Sequence, residues 1–366
     1  MRRFLFTLAG LSLMFAPVQA QDIEIGGLLD VGFLHNFNDP GRATGEGIAN
    51  GFAGGNEDSF QVTLAQLSVS KEADPVGFNL TLDFFQTAGS AQLAGNAADD
   101  IALQAANVVW NTDYGNGLSV TAGKMETLVG FDVIESASNP HMTHGLLFAL
   151  VPLTHTGVRF GYPIMDNANL TLGFNNGADD DVDDNQGKSI EAQLAVSPSE
   201  SWFASLTFTY GAEFGSVAGN TDPESDKQLI INFVTTYDFT EELSAYAELT
   251  YLDNEDQGAA GADSTGLGYG LGVTYWATDV YGVSLRWEYV DNDGANNGGG
   301  LGATVDSMWD ITLTGHAKLT DDLTFRLEFR HDNADMVGAA VGTFGDEGAA
   351  LEDSVNTLGV QLLYSF

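Results

Sequence analysis

The sequence contains no cysteine, which excludes disulfide bonds and thiolate metal sites. Basic residues are also few: 12 Lys and Arg stand against 51 Asp and Glu, a formal net charge of −39 at pH 7. A surface of this charge repels nucleic acid and attracts cations, so we expect no nucleic-acid partner. Adaptation to a saline environment is the alternative explanation of the charge.

Long apolar runs are missing after the first twenty residues. Two arginines, an apolar stretch and the sequence Val18-Gln19-Ala20 make residues 1–20 typical of a cleaved secretory signal peptide. We therefore interpret residues 21–366 as the mature domain. No later run reaches the roughly 20 apolar residues that a membrane helix needs. The protein is expected to be exported without a helical anchor.

In place of apolar runs, the chain carries segments in which apolar and polar residues alternate. In residues 358–366, for example, Leu358, Val360, Leu362, Tyr364 and Phe366 alternate with residues that are mostly small or polar. A period of two places the two sets on opposite faces of a strand. About sixteen such segments follow one another, and their connections are long and short in turn. This pattern predicts an all-β fold, a transmembrane antiparallel β-barrel of about sixteen strands.

The alternative for any single segment is an edge strand of a soluble sandwich, but a sandwich does not explain the regular alternation of loop lengths. Proline is expected in the connections or just before a strand, where its missing N–H costs no ladder hydrogen bond. The apolar phase shifts after Leu64, which predicts a β-bulge. The last strand must pair with residues 23–37 to close the barrel, and its terminal Phe366 would then be accessible to barrel-assembly machinery.

If the apolar faces contact lipid, the opposite faces line a water-filled lumen. An Arg or Lys at the lipid midplane costs about 2–4 kcal/mol, so the charged residues are expected inside. For a pair such as Arg286 and Glu288, a structural ion pair is the alternative to a role in the pore. The predicted pore-lining residues are Asp30, Asp83, His155, Arg159, Glu191, Glu248, Arg286, Glu288, Asp310, Arg326, Glu328 and Arg330.

The third long connection, residues 126–152, is too apolar for a freely solvated loop. We expect it to fold inward and narrow the pore, with its carboxylates facing basic residues of the wall. An outward lid or a contact between subunits is the alternative. The predicted constriction-loop residues are Glu126, Asp132, Glu135, His141 and His144.

Motifs for metal binding or catalysis are weak. His141 and His144 are three residues apart without an evident third ligand, so no metal is predicted. The acidic run 179–185 lacks the glycine and the distal glutamate of a calcium loop, which leaves weak divalent binding at most. The Gly-x-Ser-x-Gly and His-Glu-x-x-His motifs do not occur, so we predict no enzyme and no cofactor. An outer-membrane lipase with a scattered triad is the alternative.

Several short stretches of the N-terminal half are specific enough to compare with known proteins. They are Ala65-Gln66-Leu67-Ser68-Val69, Lys71-Glu72-Ala73-Asp74-Pro75-Val76-Gly77-Phe78, Gly115-Asn116-Gly117-Leu118, Ala122-Gly123-Lys124, Val133-Ile134-Glu135-Ser136, Asn139-Pro140 and Pro152-Leu153-Thr154-His155-Thr156-Gly157-Val158-Arg159. Together they resemble the OmpL-like β-barrel porin family of Gram-negative bacteria. The C-terminal half matches only in pattern.

The resemblance implies an outer-membrane channel for small solutes and brings no catalytic residues. We expect a porin in the Gram-negative outer membrane that passes small hydrophilic solutes by passive diffusion and favours cations. Its partners would be outer-membrane lipids, and a homotrimer follows by analogy with other sixteen-stranded porins. A substrate-selective channel and a closed structural or adhesive barrel are the alternatives.

Overall fold

The computed structural model describes residues 23–37, 58–84, 101–183, 185, 187–213, 227–257, 262–293, 305–336, 344–345 and 351–366. In these ranges regular structure is almost entirely β-strand, with short 3-10 turns at Ser136–Ser138 and Leu147–Leu150. No helix in this part of the chain is long and apolar enough to cross a membrane.

Eighteen strands follow one another along the described chain. They are β1 (Glu24–Asn36), β2 (Phe60–Lys71), β3 (Val76–Phe84), β4 (Ile101–Asn111), β5 (Ser119–Glu126), β6 (Thr154–Met165), β7 (Ala168–Asn175), β8 (Ser189–Ser199), β9 (Trp202–Ala212), β10 (Lys227–Asp238), β11 (Leu243–Gln257), β12 (Ala262–Trp276), β13 (Tyr281–Asp293), β14 (Val305–Lys318), β15 (Leu323–Met336), β16 (Phe344–Gly345), β17 (Leu351–Glu352) and β18 (Ser354–Ser365).

Strands β1 to β15 and β18 form one closed antiparallel barrel, in which β1 to β15 pair in chain order and β18 pairs with β15 and β1. The two-residue strands β16 and β17 form a separate hairpin between β15 and β18. The predicted sixteen-stranded antiparallel barrel is therefore confirmed.

The barrel closes between the first and last strands, as the sequence predicts. Val31 is opposite Leu362, and Phe33 is opposite Val360. At one end of this seam, Gly27 and Phe366 exchange two backbone hydrogen bonds of 3.1 Å. Because every barrel strand then has two partners, no unpaired edge remains for lipid to solvate.

Side chains alternate between the two surfaces of the wall. On β14, Leu313 is 47% exposed, whereas Thr312 and Thr314 on either side of it are fully buried. Leu285 and Phe329, opposite Leu313 on the flanking strands, are exposed as well. The wall is thus apolar outside and polar inside, the arrangement of a barrel with lipid around it.

A bulge in β2 changes which residues face inward. Asp30 is opposite Leu64 and Val31 is opposite Val62, so Thr63 is the extra residue. The sequence predicts this bulge but places the shift after Leu64, whereas in the structure it lies before Leu64. Leu64 is buried in an apolar cluster with Leu28, Ala102 and Leu363, because the extra residue shifts the alternation by one position.

Two prolines lie within strands and not in connections, contrary to the sequence prediction. Pro163 is near the end of β6 and Pro198 is near the end of β8. The pairing register shifts between Pro163 and Met165 and between Val196 and Ser199. A proline cannot donate to the ladder, so it is accommodated where regular pairing ends.

Candidate functional site

The loop between β5 and β6, residues 127–153, makes hydrogen bonds with side chains on the inner face of the barrel. We call it the β5–β6 loop. Its first part contacts β8 to β10. The carbonyl of Leu128 accepts hydrogen bonds from Gln193 Nε2 (2.9 Å) and Thr207 Oγ1 (3.1 Å). The amide of Gly130 donates to Asn232 Oδ1 at 3.1 Å. These contacts hold the start of the loop against the wall.

The next residue, Phe131, is fixed on both its backbone and its ring. Its amide donates to Glu248 Oε2 at 3.2 Å. Its ring stacks on Tyr246, with centroids 3.6 Å apart and planes inclined by 9°. An offset or parallel aromatic contact of this kind adds about 0.5–1.5 kcal/mol to the area that it buries. The aromatic contact therefore anchors this part of the loop to β11.

Glu328 on β15 is an acceptor for the middle of the loop. Its carboxylate accepts from the amides of Met142 (2.6 Å) and Thr143 (3.1 Å) and from Thr143 Oγ1 (2.6 Å). Thr314 Oγ1 donates to the same group at 2.7 Å. Hydrogen bonds to a charged acceptor contribute about 1.5–3 kcal/mol each in favourable sites. Glu328 is thus a main attachment point of the loop.

Arg326, two residues before Glu328, binds backbone carbonyls of the same segment. Its Nη atoms donate to the carbonyls of Ser136 (2.8 Å), Asn139 (2.8 Å) and His141 (3.2 Å). A planar guanidinium with several fixed donors suits such a set of divergent acceptors. Arg326 and Glu328 together clamp residues 136–143 from both the carbonyl and the amide side.

Arg286 on β13 and Arg330 on β15 extend this clamp to residues 143 and 144. Arg286 Nη1 donates to the carbonyl of Thr143 at 2.9 Å, and Arg330 Nη1 donates to that of His144 at 2.6 Å. Both guanidinium groups are also ion-paired with Asp310, at 3.4 and 3.3 Å. Both arginines are fully buried, and a buried charge is tolerated only when it is paired and hydrogen-bonded. The loop backbone completes their hydrogen bonding.

An apolar cluster holds the end of the loop. Its members from the loop are Val129, Leu146, Leu147, Leu150 and Val151. Burying one leucine side chain contributes about 1.5–3 kcal/mol relative to leaving it exposed. The wall contributes Ile230, Leu252, Val290, Val305, Met308, Ala334 and Val355.

The predicted pairing of loop carboxylates with wall arginines is found for Asp132. Its Oδ2 lies 3.6 Å from Arg286 Nη1 and accepts a hydrogen bond from the amide of Gly145 at 2.8 Å. Arg159, another basic residue of the wall, is ion-paired with Glu191 at 2.6 Å. Its Nη1 donates to the backbone carbonyl of Glu126 at 2.6 Å.

The carboxylates of Glu126 and Glu135 receive hydrogen bonds from side-chain amides. Gln104 Nε2 lies 2.9 Å from Glu126 Oε1 and 2.6 Å from Glu135 Oε1. Gln66 Nε2 lies 3.2 Å from Glu135 Oε1 and 3.1 Å from Asp83 Oδ1. Two neutral amides therefore bring three carboxylates together, and we call Asp83, Glu126 and Glu135 the acidic group.

The two loop histidines have separate partners. His141 Nδ1 is 2.7 Å from Thr314 Oγ1, whereas His144 Nε2 is 2.8 Å from the carbonyl of Val133. The ring of His144 also stacks on Phe148 at 3.9 Å. Burial lowers the pKa of His141 well below its usual value, so the imidazole is neutral at pH 7. No group of three or more potential metal ligands occurs among the described residues.

The side chains predicted to line the pore are buried, apart from the partly exposed Arg159. They are therefore held by partners and not freely solvated. Asp30, for example, accepts hydrogen bonds from Ser136 Oγ (2.6 Å) and Gln361 Nε2 (2.8 Å). His155 Nδ1 lies 3.0 Å from the carbonyl of Gly177. Their role in lining a pore stays a prediction.

The sequence prediction selected charged residues for the site and missed four residues with neutral side-chain amides. Gln66, Gln104, Gln193 and Asn232 all bond to loop residues or to the acidic group. The alternation of the strands contains the signal that would have found them. Gln193, for example, is two residues from Glu191 and so lies on the same face.

Comparisons with known proteins agree with this architecture. The family model described as "Putative beta-barrel porin-2, OmpL-like" matches residues 22–366. No curated protein sequence matches the chain significantly.

Among solved structures, an anion-selective porin from Comamonas acidovorans is 14% identical, with a TM-score of 0.64, over 94% of this chain and 99% of that one. The outer membrane channel DcaP of Acinetobacter baumannii is 13% identical, with a TM-score of 0.61, over 94% and 97%. The trimer form of the Vibrio cholerae outer membrane protein OmpT is 13% identical, with a TM-score of 0.61, over 94% and 99%. At these identities the likeness shows the fold alone.

Proposed function

Because the chain belongs to the OmpL-like family of β-barrel porins, we propose that it passes small hydrophilic solutes through the outer membrane by passive diffusion. The observation that carries this proposal is the closed barrel, which is apolar outside and lined inside by buried charges and amides. A barrel of sixteen strands with a polar interior is expected to hold water. We further propose that residues 1–20 are a signal peptide that is cleaved during export.

Within this function, the β5–β6 loop narrows the pore. Its proposed role rests on the contacts that tie it to strands on several sides of the wall, from Asn232 on β10 to Glu328 on β15 and Gln66 on β2. The charged residues of the interior then divide between two tasks. The arginines Arg286, Arg326 and Arg330 hold the loop, while the acidic group acts on the passing solute.

A preference for cations follows from this division. The three carboxylates of the acidic group accept hydrogen bonds from Gln66 and Gln104, which are neutral amides and bring no positive charge. The basic side chains Arg286 and Arg330 are fully buried, whereas Glu126 and Glu135 of the acidic group are partly exposed. The net charge of −39 acts in the same direction at the pore entrance.

Reversal potentials across a KCl gradient in planar bilayers test whether the protein conducts ions and whether it prefers cations. We expect cation selectivity, and the triple variant Asp83→Asn, Glu126→Gln, Glu135→Gln should lower the cation-to-anion permeability ratio about fivefold. This factor corresponds to the roughly 1 kcal/mol between two unit charges about 4 Å apart in water.

Asp321→Asn is the control, since this residue lies in the short turn between β14 and β15, outside the lumen. It should leave the ratio unchanged. Anion selectivity of the unmodified protein would refute the charge argument. A folded protein that conducts no ions would favour a closed structural or adhesive barrel.

We also propose a homotrimer surrounded by outer-membrane lipids and inserted by barrel-assembly machinery. The trimer form among the similar solved structures supports the first part, and the apolar outer surface supports the second. Chemical cross-linking of the protein in its membrane should yield trimers as the largest product. Monomers alone would contradict this.

A further inference from the structure

A cavity of about 300 Å³ lies between the β5–β6 loop and the wall formed by β8 to β10. On the loop side, Leu128, Phe131 and Phe148 line it, and on the wall side Phe203 and Val234 do so. We call this cavity the recess. Its volume is at the lower end of the range for sites that bind small molecules.

The recess is apolar, although the interior around it is polar. Phe203 is 38% exposed and shares the inner face of β9 with Thr207, which is fully buried. Leu128, Phe131 and Phe148 are also partly exposed. An aromatic or leucine side chain left in contact with water gains about 1.5–3 kcal/mol when it is covered. The recess therefore favours a solute with an apolar part.

The loop side of the recess is held in place before any solute arrives. Phe131 is stacked on Tyr246 and bonded through its amide to Glu248. The carbonyl of Leu128 is fixed by two side-chain donors of the wall, Gln193 and Thr207. A site that is already formed loses little conformational entropy when it binds a ligand.

The charged side chains that line the recess are both carboxylates. They are Glu126 and Asp132, and no lysine or arginine is among the described lining residues. Asp132 is 8% exposed, and its Oδ1 has no hydrogen-bond partner within the described part of the chain. Its other oxygen is the one near Arg286. A buried carboxylate oxygen without a donor costs free energy that a donor on a ligand can recover.

We propose that the recess binds small amphiphilic organic cations, in which a primary ammonium group is attached to an aromatic or aliphatic body. The ammonium group would donate to the carboxylates of Glu126 and Asp132. The apolar body would pack against Phe203, Val234 and Leu128. This inference rests on the proposed function, in that the bound molecule is a solute in transit through the barrel.

Isothermal titration calorimetry of the protein in detergent tests the proposal directly. The probes are 2-phenylethylammonium, the neutral 2-phenylethanol and the anionic 3-phenylpropionate, which share an aromatic body. We expect one ammonium per chain, bound about tenfold more tightly than the alcohol, because charge-assisted hydrogen bonds are roughly twice as strong as neutral ones. The carboxylate should not bind.

Two variants assign the binding to the recess. Ser205→Phe fills the wall side of the recess and should abolish binding of both the ammonium and the alcohol. Asn79→Phe adds the same ring to the inner face of β3, outside the recess, and should leave both affinities unchanged. Glu126→Gln should remove most of the tenfold preference for the ammonium while the affinity for the alcohol stays the same.

The outcomes separate this inference from the proposed function. Equal affinity for all three probes, tighter binding of the carboxylate, or binding that Ser205→Phe does not affect would overturn the recess as a cation site. Single-channel recording then adds the second distinction. If the protein binds the ammonium but does not conduct, the recess is a binding site and the proposed porin function is refuted. A conducting protein without binding would refute the site alone.

Discussion

Replacing Glu328 with leucine is expected to release the middle of the β5–β6 loop from the wall and to lower the free energy of unfolding by about 3–5 kcal/mol. The carboxylate accepts from the amides of Met142 and Thr143 and from the hydroxyls of Thr143 and Thr314. Leucine has a similar volume but offers no acceptor. Each backbone amide left buried without a partner costs about 1–3 kcal/mol.

The released loop should also change conduction. Glu328 accepts from the amides of residues 142 and 143, while Arg286 binds the Thr143 carbonyl. Loss of the carboxylate should therefore loosen this segment, widen the passage and raise single-channel conductance. Guanidinium unfolding in detergent measures the first effect, and planar-bilayer recording measures the second. The barrel strands keep their own ladder hydrogen bonds, so the content of β-structure should stay constant.

Glu328→Gln is the matched control, because its amide oxygen can still accept from one or two of these donors. It should lose less than half as much stability as the leucine variant and keep a conductance near that of the original protein. If the leucine variant retains both stability and conductance, the apolar cluster around Leu146 and Leu147 holds the loop without help.

The strands could be predicted from the sequence because lipid and the wet interior impose opposite requirements on alternate residues. The seam between Val31 and Leu362 follows from the same requirement. Strand ends could not be predicted in this way. Residues 243–251 alternate clearly, yet β11 extends to Gln257, because ladder hydrogen bonds continue beyond the layer where lipid enforces the alternation.

The candidate site was predictable in its parts but not in its pairings. Arg326 and Glu328 are two residues apart in one strand, so the sequence places them on the same face. The apolar stretch 128–135 indicates that the loop packs against another part of the protein. The partners of Arg326 are carbonyls of Ser136, Asn139 and His141, however. Every residue has a carbonyl, so the sequence contains no sign of which ones a guanidinium will meet. This is why the hydrogen bonds of these arginines to the loop backbone could not be predicted.

A charge placed on the outer surface should destabilise the protein according to its depth. Leu313 lies between Leu285 and Phe329 on the neighbouring strands and is 47% exposed to the outside. For Leu313→Arg we expect a loss of about 2–4 kcal/mol, the cost of an arginine near the bilayer midplane. The arginine side chain cannot turn to the inner face instead, because that face is already packed around the fully buried Thr312 and Thr314.

Leu319→Arg is the matched control, since Leu319 is equally apolar and 55% exposed but lies in the short turn after β14. Near the interface the same substitution costs about 0–1 kcal/mol. Reversible folding into phospholipid vesicles, followed by guanidinium titration, gives both free energies on one scale. Equal losses at the two positions would show that Leu313 does not face hydrocarbon, and they would place this side of β14 against protein instead of lipid.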